Sequence, residues 1–157
     1  MNAAADTIAS DRDLEAGIDE RIVAALLDKG RLKEPDLVRA RRLQDETGGN
    51  LLSLLGRLGL VSERDHAETC AEVMDLPLVA GKDAPETPPE LVSESPLSLR
   101  FLKQFHLCPL GERDGRLLLW MADPHDRYAI DAVRLAAGSD VELCVGLRSE
   151  IDDLIER

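Results

Sequence analysis

One helical pattern is written twice between residues 21 and 73, and no other feature constrains the fold of this chain as tightly. A shift of twenty-nine positions places Leu26 on Leu55, Gly30 on Gly59, Leu32 on Val61, Glu34 on Glu63 and Asp36 on Asp65. Each copy reads as a short apolar helix, a glycine stop and a second helix opened by a polar cap. Self-similarity at a period of roughly 20–50 residues marks a repeated supersecondary unit. Neither half can bury its apolar face alone, so the two halves are expected to pack on each other.

Ahead of the repeat, residues 1–17 carry Asp6, Asp11, Asp13 and Glu15 and little periodicity, which predicts a mobile or loosely helical acidic terminus. The first helix is expected from about Ile18 to Lys29, with Ile22, Ala25 and Leu26 inward and Gly30 ending it. The second begins near Pro35, whose missing N–H has no partner in a first turn. It turns Leu37, Ala40, Leu43 and Gln44 inward, leaves Arg39, Arg42 and Glu46 outside, and stops at Gly48-Gly49. The third, Leu51 to Leu58, closes at Gly59. Ser62 caps the fourth, with Asp65 at capping-box spacing and His66, Ala67, Cys70, Val73 and Met74 as its stripe. Residues 18–75 therefore read as a four-helix repeat subdomain.

Residues 76–97 read as a connection. Leu76-Pro77-Leu78-Val79 suits a short edge strand, and Pro85, Pro88, Pro89 and Pro96 keep the rest extended. Residues 98–157 read as helix, strand, strand, helix, strand, helix. Ser98 caps a helix ending near His106, and Asp114-Gly115 joins a hairpin of Leu107–Glu112 and Arg116–Ala122. The run Leu117-Leu118-Leu119-Trp120-Met121 is apolar on both faces and predicts a central strand. Asp126 caps a helix that Gly138 ends, Val141–Val145 alternates as a half-buried strand, and Ser149 caps a last helix. That helix reaches Arg157 without a stop signal, as in a piece of a longer chain. The expected class is α+β: a four-helix repeat followed by a small mixed sheet with flanking helices.

The chemistry of the chain excludes several functions. With 44% hydrophobic but only 3% aromatic residues, the core must be built from Leu, Val, Ile and Ala. A net charge of -12 makes nucleic acid a poor partner. No stretch approaches the ~20 apolar residues that span a bilayer, so no direct membrane insertion is expected. The N-terminus has neither the basic nor the apolar region of a secretory signal, and a cytoplasmic protein follows by default. Cys70, Cys108 and Cys144 form no Cys-x-x-Cys, and no histidines cluster, so no metal site is expected and the thiols read as small buried hydrophobes. Phosphate loops, nucleophile elbows and His-Glu-x-x-His are absent. In Asp123-Pro124-His125-Asp126 two carboxylates flank a histidine, as acid–base equipment would. The better reading gives Asp123 the turn and Asp126 the helix cap, so no catalytic residue is assigned.

Leu55-Gly56-Arg57-Leu58-Gly59-Leu60-Val61-Ser62-Glu63-Arg64-Asp65 and Leu76-Pro77-Leu78-Val79 belong together with three later stretches. These are Ser98-Leu99-Arg100-Phe101-Leu102, the Pro109-Leu110 hairpin, and Met121-Ala122-Asp123-Pro124-His125-Asp126. In that order, and from about residue 20 to the end, the chain resembles the N-terminal domain of the type II secretion ATPase, general secretory pathway protein E, and looks closest to its Xps-type member. The resemblance implies a part in protein export across the outer membrane of a Gram-negative bacterium. It implies a hexameric cytoplasmic ATPase whose ATP- and Mg-binding parts lie beyond residue 157, so that this fragment holds no cofactor and does not hydrolyse ATP. It further implies docking onto the cytoplasmic domain of the inner-membrane L protein, which would hold the ATPase at the membrane peripherally. The docking face is expected on the outer side of the second helix, at Lys33, Arg39 and Arg42, within a stretch of local positive charge.

The doubled pattern also resembles the module that binds cyclic di-GMP in related secretion and pilus ATPases. The first copy keeps Arg21, Gly30, Leu37, Ala40 and Gln44, with Ile22 for the motif's leucine and Val23 for its early glycine. The second keeps Leu51, Leu55 and Gly59, but Asn50 replaces the arginine, Leu52 the glycine, Thr69 the alanine and Val73 the glutamine. Glycine permits close backbone approach and arginine forks onto phosphate, so these replacements weaken a doubly phosphorylated ligand's site. Arg21, Gly30, Gln44 and Gly59 would be its remnant.

Overall fold

The computed structural model describes residues 11–86 and 97–156. The expectations for residues 1–10 and for the proline-rich residues 87–96 lie outside them. Among the described residues are seven α-helices and one three-stranded mixed sheet, the expected α+β class. The chain divides into two compact units, residues 1–62 and 63–157.

The first unit holds α1 (Asp11–Asp28), α2 (Glu34–Thr47) and α3 (Leu51–Arg57). α1 begins well before the expected Ile18, so the acidic stretch from Asp11 is helical although it shows no apolar stripe in sequence. Among its described side chains Ile22, Val23 and Leu26 are buried, whereas Ala25 is only half-buried. α1 and α3 end alike. Arg31 N–H donates to Leu26 O and Gly30 N–H to Leu27 O; twenty-nine residues on, Leu60 N–H donates to Leu55 O and Gly59 N–H to Gly56 O. These paired bonds form the Schellman closure, which needs a left-handed residue at its turn. Gly30 and Gly59 supply it, each at φ +72°. The repeat seen in sequence is therefore a repeated way of stopping a helix. Asn50 opens α3 by accepting from Ser53 N–H (3.1 Å), and α3 packs on α1 and α2 through Leu51, Leu52, Leu54 and Leu55.

The second unit begins with α4 (Glu63–Met74). The sequence grouped this helix with the first three, over 18–75; the fold places it in the other unit, packed on a strand of the sheet. The repeat's second copy is thus divided between the units. The physical reason is in the side chains of α4, which bond to groups far along the chain, as described below. α5 (Leu99–Phe105) opens on Ser98, whose hydroxyl accepts from Phe101 N–H. β1 (Leu107–Arg113) and β2 (Arg116–Met121) pair antiparallel, with a register shift between Pro109 and Gly111. Their turn has Asp114 at φ +55° and Gly115 at φ +78°, the two left-handed residues of a primed hairpin. α6 (Arg127–Ala137) returns the chain so that β3 (Val141–Val145) runs parallel to β2, giving the order β1-β2-β3 with β2 central as expected.

The segment expected as an edge strand forms only a bridge, Leu78 to Val145. Val79 N–H donates to Val145 O (2.8 Å) and Val145 N–H to Pro77 O (2.9 Å), which covers one end of the outer edge of β3. α7 (Arg148–Glu156) starts two residues earlier than a Ser149 cap would have it. The carboxylate of Glu63 on α4 accepts there instead, from Ser149 N–H (3.1 Å) and Ser149 Oγ–H (2.6 Å). A carboxylate at a helix N-terminus also meets the positive end of the helix dipole. Trp120, Leu119, Met121, Leu107, Val133, Ile151 and Leu154 are among the buried residues of this unit's core. α5 and α7 pack on β1.

Candidate functional site

Helix α2 carries the residues expected to dock. Lys33 stands at its N-cap with an extended backbone and makes no side-chain cap bond. Arg39 and Arg42 lie three residues apart on one exposed face, with Val38 beside them at 53% exposure. Arg39 reaches Asp36 at 3.2 Å, a surface pair of small energetic weight. Arg41 differs from these two. It forks onto Glu20 at 3.0 and 3.2 Å, and that hydrogen bond holds its guanidinium above the ordinary arginine range. Leu37 and Ala40 bury the opposite face.

The remnant nucleotide motif is spread over local structural duties. Gly30 and Gly59 close helices. Gln44 donates from Nε2 to Gly49 O (3.0 Å) just past its own helix, and Arg21 is exposed on α1. Asn50, where the motif has arginine, caps α3 and donates from Nδ2 to Asp19 Oδ2 (2.9 Å).

The turn after β2 behaves differently from its expectation. Asp126 does cap α6, accepting from Ala129 N–H at 3.1 Å, and Asp126 N–H does close a turn on Asp123 O. Yet His125 is only 2% exposed, and the Asp123 carboxylate points into the protein. Its Oδ1 lies 3.1 Å from His66 Nε2 and 3.6 Å from His125 Nε2, and its Oδ2 lies 3.8 Å from Arg148. Cys70, one helical turn beyond His66, is fully buried with Sγ 3.6 Å from the same His66 Nε2. The two imidazole rings meet edge to face, 5.4 Å between centroids. His66, Cys70 and His125 each offer a ligand atom, all within 4.8 Å of one another.

Electrostatics bind this cluster together. Burial alone would raise the Asp123 carboxyl, but the adjoining His125 ring and the hydrogen bond from His66 hold it far below the usual carboxylate range. Burial alone would discharge His66; the neighbouring Cys70 sulfur and the Asp123 carboxylate overcome that and push it up to about 10. Cys108 and Cys144 lie apart from the cluster, and burial raises both thiols to about 11. His106 is elsewhere too, left-handed at the end of α5 with Nδ1 2.8 Å from Asp152.

Sequence spacing did not reveal the convergence, because His66 and Cys70 sit on α4 while Asp123 and His125 follow β2. One signal was present. Shifted by twenty-nine, His66 falls on the buried Leu37 and Thr69 on the buried Ala40.

Comparison with known proteins identifies relatives. The MshEN domain family matches residues 74–157. Type II secretion system protein E of Xanthomonas campestris pv. campestris is 72% identical over 138 residues, covering 87% of this chain and 24% of that protein. The chain thus spans about a quarter of that relative's length. The solved N-terminal domain of XpsE superimposes with a TM-score of 0.80 at 69% identity, covering 88% of this chain and 94% of that one. A structure of MshE with cdg, 22% identical, shares the fold with a TM-score of 0.65 over 87% of this chain and 97% of that one.

Proposed function

From the premise that the chain belongs to the MshEN domain family, we propose that it is the docking domain of a type II secretion ATPase, binding the cytoplasmic domain of the inner-membrane L protein. The observation that carries this reading is the outer face of α2. There Lys33, Arg39 and Arg42 are exposed beside the apolar Val38, in a chain whose net charge is -12. Local charge of one sign steers encounter with an opposite patch and fixes register. An exposed helix face with an apolar residue among charges is a common docking element. The 72% identity to a type II secretion system protein E supports the wider setting. In that setting the whole protein is a hexameric cytoplasmic ATPase, with ATP and Mg held outside these residues, and it reaches the inner membrane through the L protein. The fragment itself contributes surface and turns over no nucleotide.

Titration of the L-protein cytoplasmic domain into this chain tests the proposal. Reversing Arg39 and Arg42 to Glu is expected to weaken binding at least tenfold, about 1.4 kcal/mol, with the helical circular dichroism unchanged. Unchanged affinity removes this face from the interface. A second reading, a cyclic di-GMP sensor, draws on the fold shared with MshE with cdg. It is the weaker of the two, because Asn50 and Gln44 are taken up in bonds to Asp19 and Gly49. Calorimetry with cyclic di-GMP separates them, and sub-micromolar binding would promote the sensor.

A further inference from the structure

We propose that His66, Cys70, Asp123 and His125 form a metal site, and that Zn2+ is the ion this donor set selects. The proposal is independent of the docking reading and rests on geometry. A tetrahedral zinc bound at about 2.0–2.1 Å to nitrogen or oxygen and about 2.3 Å to sulfur places neighbouring donors about 3.3 Å apart, or about 3.6 Å where one is sulfur. In the structure Cys70 Sγ and His66 Nε2 are 3.6 Å apart, and His66 Nε2 and Asp123 Oδ1 are 3.1 Å apart. Asp123 Oδ1 and His125 Nε2 are 3.6 Å apart, and the histidine and cysteine donors all fall within 4.8 Å. Three of the six edges of a zinc tetrahedron are thus close to drawn, and the two that join His125 to His66 and to Cys70 lie within 4.8 Å.

The construction of the site agrees with a closed structural position. His66 and Cys70 are four apart on α4, so one helix face fixes their separation. Asp123 and His125 come from the short turn between β2 and α6. Cys70 and His125 are buried, and His66 and Asp123 expose only 15% and 14% of their side chains. Four protein donors leave no position for water or substrate, as in structural rather than catalytic zinc sites. A thiolate, a carboxylate and two neutral imidazoles carry the charge that a divalent cation balances. Sulfur with imidazole favours zinc over the hard cations magnesium and calcium. Asp123 keeps Oδ2 toward Arg148 at 3.8 Å, so an outer partner orients the carboxylate whose Oδ1 faces the two rings. Bound there, the ion would tie α4 to the turn after β2, both within the second unit.

Cobalt substitution tests this in the untagged chain after chelator treatment. Co2+ is expected to bind one equivalent, giving a thiolate charge-transfer band and the intense visible bands of a tetrahedral ion. One equivalent of Zn2+ is expected to abolish both. Cys70→Ser should remove the charge-transfer band, whereas Cys108→Ser and Cys144→Ser should keep it. His125→Asn should weaken zinc, measured by competition with a chromophoric chelator, by more than the roughly 10–100-fold that outer-partner changes cost. If Cys70→Ser does not fold, the wild-type spectrum and His125→Asn carry the decision. A wild-type chain with no stoichiometric cobalt band overturns the proposal. So does a band that survives Cys70→Ser, or zinc affinity indifferent to His125→Asn; the cluster would then be a hydrogen-bonded network alone.

Discussion

Replacing Gly146 by alanine adds one methyl group at the most crowded glycine of the chain. A Cβ there would overlap Trp120 Nε1 and sit 2.5 Å from Cε2 and 2.8 Å from Cδ1. The indole cannot step aside cheaply. It is fully buried, and its N–H donates to Val79 O at 3.0 Å. Overpacking a tight core costs about 1–3 kcal/mol. If the ring moves far enough to break the bond to Val79, a buried donor and acceptor lose each other, for about 1–3 kcal/mol more. The expected loss is therefore about 2–6 kcal/mol, set against a native stability of about 5–15 kcal/mol. Even the lower figure lowers Tm by about 8–16 °C in a unit of this size. The assay is urea unfolding followed by tryptophan emission. Trp120 is the chain's single tryptophan, so the signal reports the second unit alone. Gly138→Ala is the control, because Gly138 has open space but φ +67°, and its strain alone should cost about 1–2 kcal/mol. In a Trp120→Phe background, read by circular dichroism, Gly146→Ala should cost at least about 1 kcal/mol less than in wild type. A Gly146→Ala loss no larger than that of Gly138→Ala, with no coupling to Trp120, would refute the reasoning.

Two further substitutions test the caps. Asn50→Asp keeps a good N-cap acceptor for Ser53 N–H, yet it replaces the donor to Asp19 with a second carboxylate. It should destabilise the first unit by about 1–2 kcal/mol, seen as faster amide exchange in α3, and the loss should shrink in acid as one carboxylate takes a proton. Asp126→Ala removes the acceptor for Ala129 N–H and should cost about 1 kcal/mol in the same tryptophan-detected unfolding, whereas Asp126→Asn should cost little.

Features settled by a few neighbouring residues were legible in the sequence. Asp126 and Ser98 cap the helices they were expected to cap, and Asp114-Gly115 makes the turn that two positive φ values require. Gly30 and Gly59 stop helices because the closure is a bond pattern within six residues. β2 is central because its run is apolar on both faces. Features settled at long range were not. Ser149 has the right chemistry for a cap, but Glu63 takes the N-terminal N–H of α7 from another helix. Residues 77–79 supply two bonds to β3 rather than a strand, since only the end of that edge lies within reach. The boundary after Ser62 cuts the repeat because similarity between copies records how each helix ends and not which surface it meets.

The buried cluster carries that distinction furthest. At two paired positions the copies agree on what is inside, Leu37 with the largely covered His66 and Ala40 with the buried Thr69, whereas the buried Ala67 and Cys70 fall on the exposed Val38 and the half-buried Arg41. At the two agreeing positions they disagree on polarity, since leucine in one copy is histidine in the other and alanine is threonine. Covering an imidazole where a leucine would serve is costly unless the ring finds a charged or hydrogen-bonded partner. Where a repeat keeps a position buried while changing its polarity, that position therefore demands a partner from outside the repeat. The demand can be read from the sequence; its answer, Asp123 and His125 on the turn that follows β2, exists only once β2 and α4 have folded into one unit.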